Sequence, residues 1–155
     1  MNVVAIQELD SLRSQLEERL NLHDRIASRM HVPSIEEIKN SDYIACAKDR
    51  DGKMLAVSKG YSQAFGISDL EYSGKLDSAV WAADGQDFED HDRFVRETGV
   101  TFEGYEAWFN AKEGEYQMAL VIKRPYKDGG TRMNIPRDSL KIINEEEYKA
   151  FKNGC

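Results

Sequence analysis

The chain has 155 residues, 41% of them hydrophobic and 32% charged, with a net charge of −7 at pH 7. That length supports one hydrophobic core of ordinary size rather than two, and the composition is that of a folded domain. Lys and Arg are scattered without a patch, no apolar run approaches membrane-span length, and no basic-then-apolar leader opens the chain; a cytoplasmic protein with no nucleic-acid partner and no membrane segment is expected.

The first thirty residues read as one amphipathic helix. Leu9, Leu12, Leu16 and Leu20 recur at three- and four-residue steps, and Ile26 and Met30 resume the stripe. A strict heptad from Leu9 would place Arg19 and His23 in the seam, which argues against a long coiled coil. Such a stripe has to be buried somewhere. It either pairs two copies into a homodimer through residues 1–30 or folds back on its own domain, and dimerisation is the preferred reading. Pro33 ends the helix, because it disfavours helical geometry at the residue before it. The expected organisation is therefore an N-terminal helix over 1–32, for dimerisation and signalling, and a folded domain over 33–155.

Ser34 and Glu37 form a capping-box pattern for a short helix over 35–39. "DYIACAK" reads as a strand, Asp51-Gly52 as a tight turn and "KMLAVS" as the partner strand. "KGYSQAFG" is a short helix stopped by Gly66, and Ser68 with Glu71 repeats the capping box. A longer helix spans 86–98, with Gly99 just past its end. "VTFEGYEAWFN" and "EYQMALVIKRPY" are long strands joined by "AKEG", and "TRMNIP" follows as the last strand. Pro136 removes a ladder donor and bends or ends that strand. Asn144 with Glu147 caps a short closing helix.

The histidine-bearing stretch "FEDHDRFVRETGV" looks at first like acid–base machinery. Asp90 and Asp92 are two apart on a helix, so they point to different sides and form no dyad. No nucleophile motif and no phosphate-cradling loop accompany them, and no enzymatic activity is expected. "DRDG" carries only the first half of a calcium loop. His23 and His31 lie eight apart with no cysteine nearby in sequence, so no zinc site is expected. Cys46 reads as a small buried side chain and Cys155 is the last residue, so both thiols are expected to be reduced.

The ordered segments "KDRDGKMLAVSKGYSQAFGIS", "GKLDSAVW", "HDRFVRETG" and "KRPYKDGG" together resemble a PAS domain over about residues 41–135. The resemblance implies an α+β PAS fold: a five-stranded antiparallel sheet with short helices over one face, enclosing a small pocket, here preceded by the long N-terminal helix. Ser58 stands where the family often has Asn, and the usual Asp-Ile-Thr exit is absent.

The implied function is a sensory module that binds a small organic molecule and signals through a dimer to an effector that the sequence does not name. In one alternative, a haem-binding sensor, His91 would be the axial ligand, because haem PAS sensors place their iron-ligating histidine in the matching His-Asp pair; no other metal is expected. In the other, the fold holds no ligand and serves interaction and dimerisation. Flavin is disfavoured, because light-sensing relatives carry a cysteine where "GYSQAFG" has none. The expected pocket residues are Tyr43, Phe65, Trp81, Phe88, His91, Val95, Trp108, Met118, Leu120, Lys123 and Met133. Phe88, His91 and Val95 share one helix face by spacing, and Lys123 either serves the ligand or pairs with Glu106.

Overall fold

The computed structural model describes residues 3–27 and 31–154. The chain divides into two compact units, residues 1–32 and 33–155. The first contains helix α1 (Val3–Ala27), along which Leu9, Leu12, Leu16 and Leu20 are all more than half exposed. The expected continuation to Met30 falls outside the described residues.

The second unit opens with α2 (Ile35–Lys39), whose Ser34–Glu37 capping box forms as the spacing requires. Strands β1 (Ile44–Lys48) and β2 (Met54–Val57) follow, joined by a turn in which Gly52 takes φ +83. Short helices α3 (Lys59–Phe65), α4 (Asp69–Tyr72) and α5 (Asp77–Trp81) lead into α6 (Asp84–Thr98). Strands β3 (Phe102–Asn110), β4 (Glu115–Pro125) and β5 (Thr131–Ile135) complete an antiparallel sheet in the order β2-β1-β5-β4-β3.

The sequence reading lacked a sixth strand. After Pro136 and a 3-10 turn over Arg137–Ser139, β6 (Lys141–Ile143) resumes pairing with β4. Because β3 occupies the other edge of β4, β6 continues along the edge that β5 has left. Three residues in a proline-broken run are too short to show a two-residue alternation. Helix α7 (Glu145–Lys152) closes the unit, capped by Asn144 and Glu147.

The sheet alternates as a half-covered sheet must. Cys46 and Lys48 of β1, Met133 of β5, Val121 and Lys123 of β4, and Glu106 and Trp108 of β3 face the helices and line the interior, with Ile44 packed in the same core. On the other face a small second cluster, Ile38, Ala47, Ala56 and Tyr126, is covered by α2. One glycine is essential to the helical layer. A Cβ on Gly85, in the first turn of α6, would lie 2.5 Å from the Asp77 backbone of α5. Without that close crossing Asp77 and the first turn of α6 could not meet.

Candidate functional site

Between sheet and helices lies an interior cavity of about 30 Å3, room for about one or two water molecules. Its two sides differ in kind. One is aromatic: Tyr61, Phe65, Trp81, Phe88 and Trp108 meet edge-to-face, with ring centroids between 4.7 and 6.2 Å apart. Such pairs contribute about 0.5–1.5 kcal/mol each beyond their burial. Polar edges are satisfied, since Trp81 Nε1 donates to Tyr61 Oη at 3.2 Å and Trp108 Nε1 to Gln117 Oε1 at 2.8 Å.

The other side is a buried chain of charges. Lys48 Nζ sits 2.6 Å from both Asp77 Oδ2 and Asp92 Oδ2. Lys123 Nζ lies 2.8 Å from Glu106 Oε2 and 3.3 Å from Asp92 Oδ1, and donates to the Phe88 carbonyl at 3.1 Å. Tyr72 Oη donates to Asp77 Oδ1. The far end is His91, whose Nδ1 is 2.6 Å from Glu106 Oε2 and whose ring stacks on Phe102. Lys48, Asp77, Asp92, Glu106 and Lys123 are all buried.

Desolvation alone would push Lys48, Lys123, Asp92 and Glu106 toward their neutral forms, and here the opposite charges override it. Burial works to lower Lys48, yet Asp77 and Asp92 hold it well above the ordinary lysine value. Lys123 is raised too, against its burial, by Glu106 and Asp92. For Asp92, burial pulls upward, but Lys48 and Lys123 bring the carboxyl below its usual range. Glu106 is likewise lowered against its burial by Lys123 and His91. An ionised Glu106 only accepts, so the network assigns the ring proton of His91 to Nδ1. Cys46 in the cavity wall is pushed up to about 12 by burial, so its thiol is inert for as long as it stays buried.

The expected pocket residues divide accordingly. Phe65, Trp81, Phe88, Trp108, Lys123 and Met133 come together on the cavity wall. Lys123 does pair with Glu106. Val95 is fully buried beneath α6 but does not line the cavity. Tyr43 lies away from it, 81% exposed, because it precedes β1 rather than belonging to its alternation. Met118 and Leu120 are half-buried on the opposite face of β4. Gln117, Ala119, Val121 and Lys123 are the buried set, so strand parity excludes the two from the wall that Lys123 lines. His91 stands at the edge, its side chain 32% exposed, and reaches the interior only through Glu106. The residue that α6 turns inward with Phe88 and Val95 is Asp92.

Lys48, Asp77, Asp92, Tyr61 and Tyr72 were missing from the expected site. A signal existed for Lys48, which shares the parity of Ile44 and Cys46. One existed for Asp92 too, at four residues from Phe88 and three from Val95.

Haem does not fit this interior. The His91 ring lies outside the cavity wall, and aromatic side chains fill the space a porphyrin would need. Among the described residues no cluster of His, Cys, Asp and Glu suits a metal ion, and no helix is long and apolar enough to cross a membrane.

A family model described as PAS fold matches residues 39–132. No curated protein matches the chain. Among solved structures, "VqmA bound to DPO" is 19% identical with a TM-score of 0.54, over 65% of this chain and 52% of that one. The Vibrio cholera VqmA–ligand–DNA complex is 19% identical with a TM-score of 0.55, over 81% and 59%. A PAS domain from Colwellia psychrerythraea is 14% identical with a TM-score of 0.52, over 70% and 92%. This chain thus spans little more than half the length of the VqmA chains. With the family model covering most of the chain and the sheet order described above, the chain belongs to the PAS-fold family.

Proposed function

We propose that the chain is a non-enzymatic PAS sensory module that holds a small, planar, uncharged organic molecule between its sheet and helices. The observation that carries this reading is the interior cavity with rings on one side and paired charges on the other. Buried ion pairs cost more desolvation than a plain apolar core, so stability alone does not call for them. Aromatic walls with a few convergent polar groups are the usual make-up of a small-molecule site. Each lysine and carboxylate on the wall already has a partner of opposite charge within the chain, so the wall offers no unpaired charge to a ligand and suits a neutral one. VqmA, which shares the fold at 19% identity and is described bound to DPO, is consistent with such a role.

Ligand occupancy would pass to a partner as a population shift. We assign the dimerising role to residues 1–30, since the leucine stripe of α1 is exposed along its length. Light scattering on chains with and without residues 1–30 should show a dimer turning into a monomer; equal masses would remove that role. A second reading, a ligand-free interaction module, is favoured by one observation, the cavity's volume of only about 30 Å3. Mass spectrometry of small molecules released by heating the natively purified protein decides between them. A released stoichiometric aromatic compound supports the sensor, and a protein that releases none and whose melting temperature responds to no member of a panel of neutral heteroaromatics supports the interaction module.

A further inference from the structure

Outside the cavity, a surface groove of about 460 Å3 runs between the end of α5 and the β3–β4 hairpin. The groove and the cavity share one lining residue, Trp81. A second groove, on the far face of the sheet, shares only Ile135 with the cavity. Ile135 ends β5, its backbone paired to Ile44 of β1 in a strand whose residues Thr131 to Asn134 also pair with β4, so opening there would have to displace a strand of the sheet. Trp81 packs on Phe65, Phe88 and Trp108 but belongs to a short helix outside the sheet. It ends a five-residue helix whose N-cap, Leu76, makes no side-chain cap bond. Its one side-chain hydrogen bond is the donation to Tyr61 Oη.

The next residue, Ala82, takes φ 55 and ψ −133. A Cβ disfavours that conformation, and such outliers persist only where surrounding contacts impose them. Across the groove, Lys112 Nζ bridges to Glu71 Oε2 at 2.6 Å and to the Gly66 carbonyl at 2.7 Å, an exposed tie across its rim.

We propose that the Trp81 indole is the door between this groove and the interior cavity, and that Ala82 is the hinge at which the last turn of α5 lets the indole swing out, while Asp77 at the other end of α5 stays anchored to Lys48 and Tyr72. The inference rests on the ligand-binding reading only for its purpose; the opening itself is a property of the chain. In the open state Ala82 relaxes, the indole leaves Tyr61, and the groove becomes the vestibule through which a small molecule enters. The closed door explains how an interior of about 30 Å3 can belong to a binding site: the space is shut, and opening adds the volume of the indole.

Cys46 lines the cavity and offers a reporter that needs no ligand. In a Cys155→Ser background it is the only thiol. Its labelling by the small neutral reagent methyl methanethiosulfonate, followed by intact mass, reads how often the cavity opens. We expect Trp81→Ala to speed labelling by about tenfold or more, Trp81→Phe by a smaller factor, and Ala82→Gly to slow it by about threefold, because glycine relieves the closed hinge. Val121→Ala, on the sheet side of the same cavity and not opposite Cys46 in the ladder, should change the rate by less than about twofold.

Low urea should hardly affect the rate, as local opening exposes little surface. Should Trp81→Ala fail to fold, Trp81→Phe and Ala82→Gly carry the test. The proposal falls if Trp81 and Val121 variants label alike, or if labelling follows urea as steeply as global unfolding. A working door with no molecule released on heating would instead count against the ligand reading alone.

Discussion

The cavity's two walls are equally buried and are held together in opposite ways. The aromatic wall is a set of edge-to-face pairs, each modest and none obligatory. Its energy degrades by degrees as rings are trimmed or turned. The charged wall is a chain in which each inner member contacts two others, from Tyr72 through Asp77, Lys48, Asp92 and Lys123 to Glu106 and His91, the Asp92–Lys123 link being an ion pair at 3.3 Å rather than a hydrogen bond. Removing a central member strands charges in the interior. A side that yields by degrees suits a door, and a side that fails as a unit suits a fixed floor.

The sharpest test of that difference is Lys48→Met. It leaves Asp77 and Asp92 buried without their shared ammonium, and should cost about 3–5 kcal/mol of unfolding free energy in urea titration. Neutralising the orphaned carboxylates as well, in Lys48→Met/Asp77→Asn/Asp92→Asn, should recover a large part of it. A single-variant loss below about 1 kcal/mol would mean that water reaches the floor and the network is not a unit.

On the aromatic wall, Phe65→Leu keeps an apolar side chain but gives up edge-to-face contacts with Tyr61, Trp81 and Trp108. The expected loss is smaller, about 1–3 kcal/mol. If it exceeds that of Lys48→Met, the comparison between the walls is wrong.

Stability against pH sharpens it further, and the sign differs at the two ends. Asp92 and Glu106 have carboxyl pKa values lowered by folding, so their contribution is present above the unfolded values of 3.8 and 4.5 and is lost as pH falls through the lower folded ones. Lys48 and Lys123 are raised, so theirs is present below the unfolded 10.5 and is lost as pH rises through the folded values. The network therefore predicts a plateau across the neutral range that falls off at both ends. The triple variant, which lacks Lys48 and the Asp92 carboxylate, should show a shallower fall on each side by thermal melts at stepped pH.

How much of this could be read in the sequence follows the same division. Rings at Phe65, Trp81, Phe88 and Trp108 announced themselves, because large apolar side chains in alternating or helical positions have few places to go but inward. The charged floor did not, because Lys and Asp are read as solvent-facing unless a partner is visible. Here the partners lie 29 and 44 residues from Lys48. Parity was the signal that could have caught Lys48, and neglecting it also put Met118 and Leu120 on the wrong face of β4. On α6 the eye was drawn to the histidine, while the 88–92–95 spacing pointed to Asp92.

His91 supplies the smallest effect and the finest discrimination. It stands at the mouth of the charged wall, a third exposed, with one bond to Glu106 and one ring stacked on Phe102. Glu106 retains Lys123 at 2.8 Å when His91 is gone, so the chain loses an end rather than a link. His91→Gln keeps a donor within reach of the carboxylate, and it should cost about 1 kcal/mol or less in urea titration. Glu106→Gln, one link further in, leaves Lys123 with only Asp92 and the Phe88 carbonyl, and should cost clearly more. A loss for His91→Gln as large as for Glu106→Gln would place the histidine inside the network's cooperative unit and move the boundary of the floor out to the surface of α6.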